Sequence, residues 1–411
     1  MGRTKRSVVL CVGMALLLFL GLIYAYSVLL APLKAEYAWP MTGMTFIFAL
    51  SISAFTVGGL ASGRLMARRH VRGGLLLGAS LLFVGFLGVS HADGVESLAF
   101  AALMYGVLAS FGIGLVYNIV IPVVSAWFPD KPGFAQGVCL MGFGMGGFLL
   151  GPLATGLYAV FPWRVVIGCL GVVFAALIVA SSFVIRAPRL DEIGLPEPVA
   201  GAARDAGAGE GECHALLSSP VFYFEFLFLF FMGSNGMGIT GIGRELPLAL
   251  GVDDMAAALI IGLVNIGSGI GRFGGGVLLD RIGCERSMLG IAVMGVASPA
   301  IVAASLAMGS VALQLVGCLL FGVSWGAAIV TMPFITRREW GQADLAQNMA
   351  VVNTYSIFGA LAGSFGAGLL IEATGSFYPV LGVMAIFALG ALLVACGMAR
   401  LRASARASSL G

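Results

Sequence analysis

Apolar residues in this chain form long runs, and polar residues are confined mainly to the short connections between them. A membrane-spanning helix needs about 20 predominantly apolar residues. Twelve runs meet this requirement, at about 7–31, 41–63, 73–90, 99–127, 134–160, 165–186, 219–243, 255–279, 286–308, 311–335, 346–370 and 376–398. The pattern therefore predicts an all-α membrane protein with twelve transmembrane helices that crosses the lipid bilayer many times.

The composition of the chain also indicates that lipid surrounds much of its surface. The 411 residues are 60% hydrophobic and only 10% charged, whereas soluble domains carry about 25% charged residues. The net charge of +3 is too small to favour a nucleic-acid partner. The seven cysteines and three histidines fit neither a zinc site nor a disulfide framework. We therefore expect no metal, no cofactor, no nucleic-acid partner and no enzyme activity. We also expect a monomer.

The one long connection divides the chain. Residues 187–218 are rich in Ala, Gly, Pro and acids and lack helical periodicity, which is typical of a flexible linker. We predict an N-terminal six-helix bundle over 1–186, a cytoplasmic linker over 187–218 and a C-terminal six-helix bundle over 219–411. With the termini inside, 18 of the 22 Lys and Arg residues fall on that side. The positive-inside rule then places both termini in the cytoplasm and the protein in the inner (cytoplasmic) membrane.

The two predicted halves repeat one another. Three pairs of features recur at offsets of 213, 211 and 211 residues, namely GRLMARRHVR (63–72) and GVLLDRIGCE (276–285), the Ala-Gln starts at 135 and 346, and Pro122 and Pro333. Parallel six-helix repeats are the plan of a large group of secondary transporters, whose substrate site lies at the bilayer midplane between the repeats.

Several motifs carry a family resemblance. Gly276 to Gly283, with Asp280 and Arg281, is similar to the Gly-x-x-x-Asp-Arg-x-Gly loop of the major facilitator superfamily. The first copy is degraded, with Ala67 and His70 at the aspartate and second-glycine positions. The stretches 21–39 and 112–137, together with an arginine in the eighth helix, resemble the oxalate/formate antiporter and monocarboxylate transporter group. The resemblance implies two pseudo-symmetric six-helix bundles, with Asp280 and Arg281 in a gating loop.

That arginine, Arg272, is the most informative residue. It lies eight residues before Asp280, or about 12 Å along a helix, which is close to the bilayer centre. A charge facing lipid there costs about 2.5 to more than 10 kcal/mol. Asn265 and Ser268 precede Arg272 on the same helix face. Glycines at 267, 271 and 275 mark another face, where a neighbouring helix can approach closely.

The sequence offers Arg272 no obvious partner. Glu225 lies six residues into the seventh helix, near its cytoplasmic end, which is too shallow to meet Arg272. We therefore predict that the missing partner is a substrate carboxylate, which the planar guanidinium can hold with two hydrogen bonds. The alternative is that Arg272 pairs with backbone carbonyls or with another acid.

Neutral residues complete the predicted pocket. Tyr117 and Asn118 lie midway along the fourth helix, and Trp325 and Tyr355 lie at matching depths in the tenth and eleventh. We also include, with Asn265 and Ser268, the polar residues Tyr24 and Asn353. For each aromatic residue the alternative is packing without contact to substrate.

The resemblance narrows the range of substrates that we expect. In the resembled group this arginine anchors a carboxylate, and the oxalate-handling members add a lysine in a Tyr-x-x-Lys-Gly stretch of the eleventh helix. Here Phe358 replaces that lysine, which favours a substrate with one carboxylate. We predict transport of a small organic monocarboxylate such as lactate, pyruvate or formate by alternating access, as proton symport or as anion exchange. The alternatives are an oxalate/formate-type dicarboxylate antiporter and a carboxylate-binding membrane sensor.

Overall fold

The fold is described by a computed structural model covering residues 2–67, 70–94, 96–129, 132–188, 216–340 and 345–408. Within these residues, twelve helices are long and apolar enough to cross a membrane, as predicted. Their spanning stretches, α1 to α12, are Lys5–Tyr37, Met41–Gly63, Val71–Ser90, Ser97–Ala126, Phe134–Tyr158, Trp163–Ser181, Pro220–Ile242, Asp254–Ile282, Cys284–Met308, Val311–Trp340, Asn348–Thr374 and Tyr378–Ser404. Residues 189–215, most of the predicted linker, lie outside the described residues.

Small residues set how closely these helices pack. The predicted glycine face of α8 is confirmed, because a Cβ at Gly267, Gly271 or Gly275 would come within 3.0 Å of the α10 backbone. Close backbone approach of this kind maximises van der Waals contact in a membrane, where lipid removes most of the hydrophobic drive for helix association. The α8–α10 pair is therefore a rigid platform for the side chains that α8 carries.

Three of the helices depart from α-geometry. α4 has a π-helical segment, Ala102–Ala109, in its first half, and α1 and α11 are irregular near their centres. α1 contains a 3₁₀ segment, Gly21–Ala25, at the point where a Cβ at Gly21 would overlap the carbonyl oxygen of Phe143 in α5. α11 is interrupted at residues 353 and 354 and carries a π-helical segment, Leu361–Phe365. Such departures from α-geometry often mark functional sites, and those in α1 and α11 adjoin two predicted site residues, Tyr24 and Tyr355.

Twelve crossings place the start of α1, the end of α6, the start of α7 and the end of α12 on the same membrane face, which we call the linker face. On the opposite face the two halves are tied together by polar contacts. The Lys34 ammonium lies 2.7 Å from the Glu245 carboxylate, and the Tyr26 hydroxyl donates to the Gly241 carbonyl. The Thr42 hydroxyl donates to Glu372. The molecule is therefore closed between its halves on the face opposite the linker.

Candidate functional site

Arg272 lies in the central part of α8 and keeps partial exposure. Its Nη1 donates to the carbonyl oxygen of Leu140 in α5, at 3.1 Å. Its Nε is buried and has no hydrogen-bond partner. No ion pair to Arg272 occurs among the described residues. The backbone-carbonyl alternative is thus realised for one nitrogen, Nη1. Nε makes no hydrogen bond to the described part of the protein, and the Tyr24 phenol lies close enough to interact with the guanidinium.

A cluster of aromatic rings lies near the guanidinium. Tyr24 packs edge-on against Trp325, with ring centroids 5.6 Å apart, and against Phe143 at 5.2 Å. Tyr117 also packs on Phe143, at 4.6 Å. The positive charge of Arg272 acts electrostatically on the phenols of Tyr24, Tyr117 and Tyr355. The structure therefore brings these three tyrosines and Trp325 together around the arginine.

Glycines in α7 make room for two of these rings. A Cβ at Gly236 would overlap the Trp325 indole, and one at Gly233 would lie 2.7 Å from the Tyr355 ring. Both aromatic residues are consequently buried, Trp325 at 2% exposure and Tyr355 at 3%. The indole Nε1 of Trp325 has no hydrogen-bond partner, so it is a second donor that the protein leaves unused.

The other two polar residues of the α8 face are also buried. Asn265 packs against α5, where a Cβ at Gly147 would overlap its side-chain amide. The hydroxyl of Ser268 is buried without a hydrogen-bond partner. Because α5 and α8 belong to different halves, this polar face lies at the boundary between the halves, as a substrate site for alternating access requires.

Two predicted pocket residues remain, Asn118 and Asn353. Asn118 donates to the carbonyl of Gly114 in its own helix, at 2.9 Å, and packs on Gly59 of α2. Asn353 lies at the interruption of α11, where its backbone N–H bonds to the Met349 carbonyl at 2.8 Å. Neither side chain is placed against the Arg272 cluster by the contacts that the structure shows.

The two predicted gating residues lie at the linker-face end of α8. Asp280 and Arg281 are exposed, and neither side chain makes an ion pair or hydrogen bond within the described residues. Their gating role therefore stays a prediction.

Three parts of the site were not predicted from the sequence. They are the Phe143 ring, which touches both Tyr24 and Tyr117, the Leu140 carbonyl, and Gly147. All three lie in the glycine-rich tract of α5. This part of α5 also packs closely on α1, because Gly146 meets the α1 backbone.

Comparison with known proteins shows which family the chain belongs to. The family model of the Major Facilitator Superfamily matches residues 10–364. The chain belongs to this superfamily. Solved structures share the fold. One is a bacterial homolog of the human lysosomal transporter Spinster, crystallised in an inward-facing and unoccupied conformation. It superposes with a TM-score of 0.74 at 13% identity, over 95% of this chain and 96% of that one. The nucleoside transporter NupG gives a TM-score of 0.70 at 12% identity, over 96% and 98%.

Sequence relatives within the superfamily are more specific. The oxalate:formate antiporter of Oxalobacter formigenes is 26% identical over 370 residues, covering 87% of this chain and 85% of the relative. Monocarboxylate transporter 12-B of Danio rerio is 24% identical over 379 residues, covering 85% and 78%. The predicted resemblance to these two groups is confirmed, and this superfamily member is a multi-pass membrane transporter.

Proposed function

We propose that this transporter moves a small organic monocarboxylate across the inner membrane by alternating access, with Arg272 as the carboxylate anchor. The observation that carries the proposal is that the protein leaves the Arg272 guanidinium without an acid partner and with a buried nitrogen unbonded. One nitrogen is held by the Leu140 carbonyl, the charge has no acid partner among the described residues, and Nε is buried and unbonded. A carboxylate that accepts from Nε and Nη2 would supply both the missing hydrogen bonds and the missing charge.

The rest of the site suits a small anion. Tyr24, Trp325 and Tyr355 would form an apolar wall with hydroxyl and indole N–H groups at its edges, so a short carbon chain can be enclosed while polar atoms find donors. Tyr117 lies behind Phe143 and would complete this wall. Asn265 and Ser268 extend the polar face toward the boundary of the halves, where rocking of one half against the other would expose the anion to each membrane face in turn.

The proposal is tested by uptake of labelled lactate, pyruvate, formate and oxalate into proteoliposomes, with and without a pH gradient. Arg272→Lys keeps the charge but loses the two-pronged geometry. We expect the uptake of monocarboxylates to fall by at least about tenfold, since one charge-assisted hydrogen bond contributes roughly 1.5–3 kcal/mol. Arg164→Lys is the matched control, because Arg164 binds Glu36 outside the site. Equal uptake by wild type and Arg272→Lys would contradict a two-pronged grip.

Exchange of oxalate for formate is the second candidate, and it is favoured by the similarity to the oxalate:formate antiporter. Phe358 argues against it. This side chain packs edge-on against Phe226 of α7 at 6.3 Å, and the sequence of α11, residues 348–374, contains no Lys or Arg that could pair with a second carboxylate. We expect Phe358→Lys to shift preference from pyruvate toward oxalate in the same uptake assay. An unchanged ratio of the two rates would remove this argument for a monocarboxylate.

A further inference from the structure

A carboxyl group is buried in the C-terminal half, near the linker-face end of α7. Glu225 of α7 has no solvent exposure. Its Oε1 accepts one long hydrogen bond, of 3.3 Å, from the Thr336 hydroxyl of α10. Its Oε2 is buried and has no hydrogen-bond partner. An ionised carboxylate normally holds several donors, so this environment supplies far too little for a negative charge.

The cation in reach of Glu225 is already shared. Arg402 of α12 acts electrostatically on Glu225, but its guanidinium is paired with Glu339 at 2.6 Å and with Glu285 at 3.3 Å. The groups that face Glu225 are therefore Thr336 and Glu339 from α10, Arg402 from α12, and, at longer range, Cys284 from α9. Arg402 is thus paired with two carboxylates, one of which, Glu339, also pairs with Arg338 at 3.9 Å. Glu339 adds repulsion to any negative charge on Glu225.

We propose that Glu225 is a proton-binding site, that it carries its proton in the conformation described, and that this proton couples transport to the pH gradient. Burying an uncompensated carboxylate costs several kcal/mol, whereas a protonated carboxyl group needs only hydrogen-bond partners. Protonation is the state that this pocket can hold. Release of the proton requires water or a cation at Oε2, and therefore separation of α7 from the linker-face end of α10.

α10 connects the proton site to the anion site. Thr336 lies at its linker-face end, and Trp325, eleven residues or about 16 Å earlier along the helix, packs on Tyr24 beside Arg272. Pro333 lies between them and removes one backbone hydrogen bond, which allows the two ends of α10 to move differently. A shift of α10 that exposes the anion to the linker face would then also expose Glu225. One proton and one monocarboxylate together carry no net charge, so both can cross without opposition from the membrane potential.

This inference rests on the proposed function only for its coupling step, so the proton site is tested separately. Infrared difference spectra of the purified protein would show the C=O band of a protonated carboxyl group at neutral pH in the wild type, lost in Glu225→Gln. Glu372→Gln, at an exposed carboxylate on the opposite face, is the control and should keep the band. No such band in the wild type, or a band that survives in Glu225→Gln, would overturn the proton site.

A second test uses the wild type, so its result does not depend on whether a variant folds. Dicyclohexylcarbodiimide is an apolar reagent that attacks protonated carboxyl groups in apolar surroundings, and mass spectrometry identifies the residue modified. We expect Glu225 to be modified at neutral pH and protected at high pH. Failure to modify Glu225 while other carboxylates react would also overturn the proposal.

Coupling is tested in proteoliposomes. With one proton per anion, a gradient of one pH unit supports about tenfold accumulation of labelled pyruvate. We expect Glu225→Gln to lose this accumulation but to keep exchange of internal for external pyruvate, which needs no net proton movement. Accumulation that persists in Glu225→Gln would overturn the coupling. If the wild type moves no carboxylate at all, the proposed function fails and the coupling with it, whereas the infrared result still decides whether Glu225 binds a proton.

Discussion

The α2–α4 contact of the first half and the α8–α10 contact of the second half are built alike. A Cβ at Gly58 would overlap the Phe111 carbonyl, and a Cβ at Gly271 would overlap the Val323 carbonyl. The positions differ by 213 residues in one helix and by 212 in the other. The repeated sequence therefore encodes one helix-packing arrangement twice.

The reciprocal contact repeats as well. A Cβ at Gly114 would overlap the carbonyl of Phe55, and a Cβ at Gly326 would overlap that of Ser268, with the same two offsets. In both halves each helix thus presents a glycine to a carbonyl oxygen of the other, which brings the two backbones into contact.

The two contacts differ at the residue after the first glycine. In α2 this residue is Gly59, which is covered by the Asn118 side chain. In α8 it is Arg272, with its unbonded Nε. The shared backbone geometry holds both positions rigidly, but only one of them carries a charge. In this protein the packing is common to the halves, and the candidate binding chemistry comes from a departure from the repeat.

The largest expected effect comes from breaking the packing itself. Gly271→Ala would push a methyl group into the Val323 carbonyl, and we expect the free energy of unfolding to fall by about 1–3 kcal/mol or more. Gly274→Ala is the control three residues away, where a Cβ meets nothing within 4 Å, and it should change stability little. Thermal unfolding in detergent compares the two, and equal losses would show that backbone contact between α8 and α10 is not the cause.

The next effect tests the departure from the repeat. Arg272→Gly gives α8 the residue that α2 has at the equivalent position, and we expect the fold to persist while carboxylate binding weakens by roughly 10- to 100-fold. Equilibrium binding of labelled pyruvate to the purified protein measures this loss. Arg164→Gly removes a charge outside the site and should bind normally. Unchanged binding by Arg272→Gly would separate the charge from anion recognition.

The smallest effect concerns the contact between the halves on the opposite face. Lys34 and Glu245 are each about a quarter exposed, so we expect Lys34→Gln to shift the balance of conformations by about 0.2–1 kcal/mol. Hydrogen exchange should quicken in residues 239–248, which this ion pair joins to α1. The Glu36–Arg164 pair lies within one half, so Glu36→Gln should leave that segment unchanged. The same acceleration in both variants would assign it to a general loss of charge.

Some of the candidate site was predictable because it lies on one helix. Asn265, Ser268 and Arg272 share a face by helical spacing alone, and the structure keeps all three at or near the boundary between the halves. Tyr117 and Asn118 show the opposite case. Adjacent residues on a helix point about 100° apart, so once Tyr117 faces Phe143, Asn118 is turned toward Gly59 of α2. The sequence does not state which of the two faces the centre.

The chain by itself determined twelve spans, a repeated half, the glycine face of α8 and an arginine too deep for its charge to meet water without a cavity. These follow from local chemistry, since hydrophobic length, helical spacing and the cost of a buried charge are properties of a stretch of sequence. Only the tertiary structure decided that the Leu140 carbonyl takes one nitrogen of Arg272 and that the buried Nε is left without a partner. It also decided that Glu225 faces Thr336 and a cation already paired with two other acids. Partners between distant helices depend on their rotation and depth in the packed bundle, which no local pattern specifies.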